Sequence, residues 1–512
     1  MYNPHMRFRR FLNPQTIIFV VSFVARTLPG PRTLDDAFIT FRYAQNLISG
    51  HGLVYNPGEA VLGTTTPVYA LLMTGLGLLG GGAQAPFPTI SIFVNAIADS
   101  LTCWLLIKLG EALGYRRAGL SAAIIWAIAP YSVTFAIGGM ETSLFVLMMV
   151  STLYLHSTNK PIWAALLASL SLLTRPDALL FIAPLVIERL RFAAIQWRKD
   201  RQINRSMVNE IATFCLPITC WAVFGFLAYG NPIPNSILAK VAAYHLPADA
   251  ALTRLLQHFG TPFFGHQIFD NWWIGAGFVI YLTLYLIGAS GAVRNKKITW
   301  PIFAFPWIYL IAFAIANPLI FRWYLTPPLP FYFLGIFIGV ERLSQHWKPP
   351  ALLVIVASLA FISTLFGWTL HPDHGPNRPA PKMAYIELEL LYRRAAEELQ
   401  GRIQSDQVLA AGDIGVLGYY TSARILDTIG LISPQSLSYY PIPDSAYVIN
   451  YAIPKNLILE SNPDYFVTLE VYIRNTLRDD EKFNAQFSLD THFETDIYTS
   501  EGMLIYQSVS TR

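Results

Sequence analysis

Two carboxylates stand side by side at Asp35 and Asp36, directly after the first apolar run. Adjacent carboxylates can take a proton from a hydroxyl, orient one another or hold a divalent cation. They can also do something plainer, which is to cap a helix and complement its dipole. The residues that follow do read as a helix, because Phe38, Phe41, Ala44, Leu47 and Ile48 recur at helical spacing. Such a helix lies in the membrane interface with the acidic pair at its start. Charge meets an apolar setting at four more places. Glu141 opens an apolar run in GGMET, and Arg175 and Asp177 flank Pro176 between two short runs. Lys240 follows the Pro-rich stretch 231–235, and Arg322 opens a run in FRWYLTPPLP. Charge inside a membrane points to function by default. Each also has a structural reading, as a helix-end charge, a salt bridge or a snorkelling cation. Arg42 on the interfacial helix is a further cation. His51 reads as a turn residue. His371, Asp373 and His374 lie in a Pro-rich linker rather than a metal site.

The elements that must position these residues are membrane helices. The chain is 54% hydrophobic and 13% charged, against about 25% charged in soluble domains. No acidic or basic tail suggests a nucleic-acid partner. Cys103, Cys215 and Cys220 all fall in apolar runs, so no disulfide framework is indicated. About twelve apolar runs approach the roughly 20 residues of a span, from 11–28 to 350–370. If all cross, the basic clusters at 108–117, 189–205 and 294–297 fall outside, against the positive-inside rule. Treating 64–80 as a juxtamembrane helix moves every one of them inside. The expectation is therefore an α-helical polytopic protein of about 11 transmembrane helices in the plasma (inner) membrane, with its N-terminus cytoplasmic. Residues 1–370 form the membrane module, with an outer loop at 29–88. Residues 371–512 form a small extracytoplasmic α/β domain. A helix is expected there at about 382–402, and strands at 407–411, 424–428 and 464–469. Gly412-Asp413-Ile414-Gly415 lacks a third glycine and a βαβ unit, so Asp413 reads as a helix cap rather than a nucleotide site.

Several motifs together resemble a known family. They are DDAFITFRYA, GHGLVYNPGE and TPVY in the first outer loop, GGMETSLF, LTRPDALL, YGNPIPNSILAK, and GDIGVLGYYTSARILDTIGLISP. In this order they resemble the GT-C superfamily of lipid-linked-sugar glycosyltransferases, in the branch of the mycobacterial terminal arabinofuranosyltransferase. The branch has a pattern near G-Y-T-S-P where this chain has Gly63-Thr64-Thr65-Thr66-Pro67, which leaves the sugar open between hexosyl and pentosyl. The resemblance implies transfer of a sugar from a polyprenyl-phosphate carrier to an envelope glycan, lipid or protein on the outer face. It implies Asp35 as general base, with Asp36 orienting it or sharing a Mg or Mn ion. It implies Arg322, Lys240 and Arg42 as donor-phosphate ligands. Glu141, Arg175 and Asp177 become an acceptor or structural site. A transporter or flippase of lipid-linked sugars and a non-catalytic envelope scaffold are the alternatives. The absence of an internal repeat weighs against a transporter.

Overall fold

The computed structural model describes residues 13–201, 205–347, 351–368, 370–371, 380–381, 387–404 and 406–511. Arg7, Arg9, Arg10, Pro372, Asp373, His374, Pro376 and Pro379 lie outside the described residues. Contacts divide the chain into two compact units. The first is Met1–Arg32, Ser91–Thr219 and Asp249–Tyr385, and the second is Thr33–Ile90, Cys220–Ala248 and Ile386–Arg512. Residues 33–90 and 220–248 thus belong with the C-terminal domain, a grouping that differs from the expected division at residue 370.

All the apolar runs are helical, but not all are long. Five helices have the length and composition to cross a membrane. They are Phe87–Leu113, Arg205–Tyr229, Trp272–Asn295, Lys297–Ala316 and Arg322–His346. Arg116–Ile128 and Pro130–Ile137 make a sixth candidate, bent by 47°. Pro14–Thr27, Pro67–Gly80, Thr142–Ser157, Pro161–Leu172 and Leu352–Phe366 are apolar but only 10–17 residues long. Helix length alone therefore carries five or six crossings, fewer than the eleven counted from apolar runs. One of these runs, 118–136, is broken at Pro130, and five others form helices of only 10–17 residues.

The bend at Pro130 is tied down by charge. Proline cannot donate to the carbonyl four residues back, so Trp126 O is freed. Arg26 collects it at 3.2 Å, together with Ala127 O at 2.9 Å and Ser132 Oγ at 2.7 Å. Its Nε pairs with Asp99 Oδ2 at 2.7 Å, and both side chains are fully buried. Ser143 Oγ and Trp126 Nε1 donate to the same carboxylate. Every charged atom is met, which a buried ion pair needs if it is not to cost more than it returns.

Trp272–Asn295 and Leu329–Trp347 pack backbone to backbone. A Cβ on Gly288 would collide with Gly335 O, and one on Gly339 with Leu284 O. This is the small-residue contact by which helices approach closely in lipid.

The basic clusters of the first unit gather at one end of its helices. Asn295 Nδ2 donates to the Tyr115 hydroxyl at 3.2 Å, and Lys296 reaches Ser157 O. Trp300 Nε1 donates to Glu188 at 2.7 Å, and Glu341 accepts from Ala118 N at 2.8 Å. Arg116, Arg117, Arg189, Arg191, Arg294, Lys297 and Arg342 flank these ties.

The second unit holds a five-stranded mixed sheet in the order Arg424–Asp427, Val408–Ala411, Tyr465–Leu469, Gly502–Ser508, Phe487–Glu494. The first two pairings are parallel and the last two antiparallel. The strand Tyr465–Leu469 is buried throughout, as a central strand should be. The three expected strands and the helix Glu387–Leu399 are present.

Candidate active site

The acidic pair begins the helix Asp35–Ile48, as its amphipathic spacing requires. The two carboxylates have different surroundings. Asp35 Oδ2 accepts from Gly415 N at 2.8 Å and Oδ1 from Val416 N at 2.7 Å. It therefore caps the helix Gly415–Thr421 of the C-terminal segment. A Cβ on Gly415 would run into the Asp35 carbonyl, which is why the motif ends in glycine. Asp36 keeps about a third of its side chain exposed and faces Lys240 Nζ at 3.7 Å.

Arg42 lies one helical face further on and is buried. Its Nε donates to Tyr55 O at 2.8 Å and Nη2 to Ala423 O at 2.7 Å, while Nη1 meets Gly418 O. Its guanidinium also covers the Tyr55 ring, 4.6 Å from the centroid. With its donors spent on backbone carbonyls, Arg42 is a structural tie rather than a phosphate ligand. Expecting a phosphate role overlooked that two of these carbonyls, Gly418 O and Ala423 O, come from 376 and 381 positions away.

The loop 53–66 is stitched to the same segment. Tyr55 donates to Ile414 O at 2.5 Å. Asn56 acts as a strand partner for Ile425, donating to its carbonyl at 2.9 Å and accepting from its N–H at 3.0 Å. Glu59 pairs with Arg424 at 2.6 Å. Phe38 packs on Tyr419 and Tyr420. GHGLVYNPGE and GDIGVLGYYTSARILDTIG therefore form one folded piece. The sequence held no signal for the role of Asn56.

Two more acids join the pair. Asp413 accepts from the Tyr392 hydroxyl at 2.7 Å. Removal from water, with Asp36 nearby, pushes its carboxyl up to about 6. Glu389, on Glu387–Leu399, accepts from the Asp35 backbone N–H, and burial raises its carboxyl to about 8. Asp35 is also raised, by burial first and then by Asp413, against the pull of its two N–H donors. The sequence offered no signal for Glu389, which looked like one more polar face residue. The tyrosines Tyr244, Tyr392 and Tyr472 complete the surroundings of Asp413. Among the described residues, no three His, Cys, Asp or Glu side chains converge as a metal site. Each oxygen of Asp35 accepts one N–H bond, so one lone pair on each is already used.

In the first unit, Arg175 binds Asp177 in a two-pronged pair at 2.9 and 3.1 Å and Glu141 at 3.0 Å. The Tyr309 hydroxyl lies 3.3 Å from Asp177. All three charged side chains are nearly buried. Residues distant in sequence thus form one triad that closes on itself. Arg322 is exposed, with Arg254 beside the same segment. The helix Ala250–Gly260 is anchored by Ala251 N on Asn317 Oδ1 at 3.0 Å and by His258 on Leu325 O at 2.8 Å. Arg254 lies on the same helix and is exposed. Arg254 had no motif to mark it.

A model named Domain of unknown function (DUF8728) matches residues 384–506. The terminal beta-(1->2)-arabinofuranosyltransferase of Mycobacterium tuberculosis is 29% identical over 230 residues, which is 41% of this chain and 35% of that protein. The match thus spans about a third of that relative's length. ArnT from Cupriavidus metallidurans, solved bound to undecaprenyl phosphate, superposes with a TM-score of 0.56 at 11% identity, covering 99% of both chains. The Archaeoglobus fulgidus oligosaccharyltransferase, solved with Zn and sulfate, gives 0.55 at 12% identity, covering 97% of this chain and 73% of the other. The chain is a multi-pass membrane protein with the GT-C fold of these transferases.

Proposed function

We propose that this chain is a membrane glycosyltransferase that moves one sugar from a polyprenyl-phosphate carrier to a cell-envelope acceptor on the outer face of the plasma membrane. The observation that carries this reading is the unequal acidic pair, with one carboxylate fixed and the other open beside a lysine. The shared fold and the activity named for the mycobacterial relative support it.

In this reading Asp36 is the general base. The resemblance alone had suggested Asp35, but both oxygens of Asp35 already accept N–H bonds, and it serves to position the pair. Asp36 takes the proton of the acceptor hydroxyl. The acceptor oxygen bonds to the anomeric carbon as the carbon–phosphate-oxygen bond breaks. The carrier leaves as polyprenyl phosphate, and the configuration inverts. Lys240 faces Asp36 at 3.7 Å and is proposed as a cation that meets a phosphate oxygen of the donor. Arg322, with Arg254, is proposed as a ligand for the lipid phosphate. Glu141, Arg175 and Asp177 are proposed as structural, because breaking one partner of a closed buried triad leaves charge uncompensated. The five-stranded domain is proposed to bind the acceptor. If a Mg or Mn ion takes part, the open oxygens of Asp36 are where it would bind, with water completing its shell; no step above is routed through it.

Purified protein supplied with a panel of radiolabelled polyprenyl-phospho-sugars and envelope extract should transfer one of them. Asp36→Asn should lose transfer while remaining folded. Transfer undiminished in Asp36→Asn would refute its role as base. Failure of every donor with the folded protein would count against the enzyme reading. An arm with EDTA reports any contribution of a divalent cation.

A further inference from the structure

We propose that the basic end of the first unit carries a binding pocket for the phosphate headgroup of an anionic glycerophospholipid, independent of the transfer chemistry. A cavity of about 420 Å³ opens there, lined by Arg191, Val293, Arg294, Lys297 and Trp300. That volume is within the range of small-ligand sites. Three separate elements contribute the wall, namely Leu179–Asp200, Trp272–Asn295 and the turn Lys297–Thr299 leading into Trp300.

The charges in this wall do not cancel. Glu188 touches two of the lining residues, and it is already engaged. Arg191 lies 3.5 Å from Glu188 Oε2, and Trp300 Nε1 donates to the same oxygen at 2.7 Å. Arg294 and Lys297 form no ion pair among the described residues. Two like charges three positions apart repel, and an anion between them relieves that repulsion. Arg294 sits in the last turn of Trp272–Asn295, where the helix dipole favours a cation and keeps it in place.

The rest of the wall favours a lipid over a free ion. Val293 and the Trp300 ring give the cavity an apolar side. The same helix Leu179–Asp200 exposes Ile187, Leu190, Phe192 and Ile195 around this stretch, as a segment surrounded by acyl chains would. Tryptophan with arginine and lysine at a helix end is the composition of a membrane interface. Basic pockets between membrane helices select anionic headgroups by this combination. The pocket is separate from the groups at the opposite helix end, because Arg191 lies fourteen residues, about 21 Å of helix rise, beyond Asp177.

The test uses full-length protein in vesicles of equal parts phosphatidylglycerol and phosphatidylcholine, released into mild detergent and weighed by native mass spectrometry. The parent should retain phosphatidylglycerol over phosphatidylcholine by about tenfold. The double variant Arg294→Gln, Lys297→Gln should lose that preference. Arg198→Gln with Lys199→Gln, which removes two charges outside the cavity, should keep it. Val293→Phe fills the cavity but leaves the cations, and it too should abolish the preference. Retention by the Arg294/Lys297 variant, or equal loss in the Arg198/Lys199 variant, would overturn the proposal. Adding inorganic phosphate should leave the lipid in place. Displacement of the lipid by phosphate alone would overturn the lipid assignment in favour of a free-phosphate site.

Discussion

At the scale of single residues, the acidic pair does its work through inequality, and substitutions should separate the two roles. Asp36→Asn removes an open base and should cut transfer about 100-fold or more with little change in melting temperature. In Asp35→Asn the new amide cannot accept from both Gly415 and Val416, and its NH2 faces one donor. That variant should lose activity and also about 1–2 kcal/mol of stability. Equal melting temperatures for the two variants would remove the distinction. Glu389 should be visible in the pH dependence of stability. Folded, it keeps its proton up to about 8, whereas its ordinary value is 4.5. The folded state therefore binds the extra proton between those values, so stability is highest below about 4.5 and is lost as pH rises through 8. Asp413 and Asp427 act in the same direction but are finished by about 6. Melting temperature should thus fall between pH 6.5 and 8.5, and the fall should shrink in Glu389→Gln; parallel curves would refute the assignment. The pair was legible in the sequence because residue type and adjacency are local. The division of labour was not, because Gly415, Val416, Glu389 and Lys240 reach it across 200 to 380 positions.

At the scale of elements, hydropathy found the apolar helices but not where their backbones break, and it passed over Asn235–Ala243 and Ala250–Gly260. An apolar run reports immersion in lipid or core; it does not report continuity of the backbone. Pro130 divides one such run, and Arg26 then makes the break tolerable by taking the freed carbonyls. Neither Arg26 nor Asp99 stands out in the sequence, since burial of both follows only from the packing of several helices. Arg26→Ala should cost about 3–5 kcal/mol, because it strands the Asp99 carboxylate. Asp99→Asn should be milder, since the amide still fits the Ser143 and Trp126 donors in part. Thermal melts in detergent would rank the two, and an Asp99→Asn loss as large as Arg26→Ala would show that the pair itself, rather than the stranded charge, is what matters. The glycine contact makes a second element-scale claim. Gly339→Leu must push Trp272–Asn295 away from Leu329–Trp347, because the Leu284 carbonyl already occupies the space. A substitution at Gly275, where a Cβ meets open space, should be tolerated in the same assay.

At the scale of the whole molecule, the positive-inside count rested on charge alone, yet the first unit shows its basic segments tied to one another at one helix end through Tyr115, Ser157, Glu188 and Asn295. Charge bias and packing are independent facts, and they agree on which segments share a side. The composition of residues 33–90 gave no hint that they fold with the C-terminal domain, because the hydrogen bonds of Arg42, Tyr55 and Asn56 to that domain leave no periodic trace. What neither fact supplies is the direction of the basic end, and that is open to measurement. Cys215 and Cys220 lie on an exposed helix and Cys103 is buried, so a background lacking all three is needed first. Single cysteines at Ala83, Glu141 and Lys199 would then be challenged in intact cells with a membrane-impermeant maleimide. If the basic end faces the cytoplasm, Ala83→Cys should label from outside and Lys199→Cys only after the membrane is opened. Glu141→Cys belongs to the outer set but is buried, so it should label slowly and gain speed on mild detergent treatment. Labelling of Lys199→Cys in intact cells would place the basic end outside. Separately, Ala83→Cys labelling only after the membrane is opened would leave a polyprenyl-phosphate donor of the outer leaflet on the wrong side for Asp36.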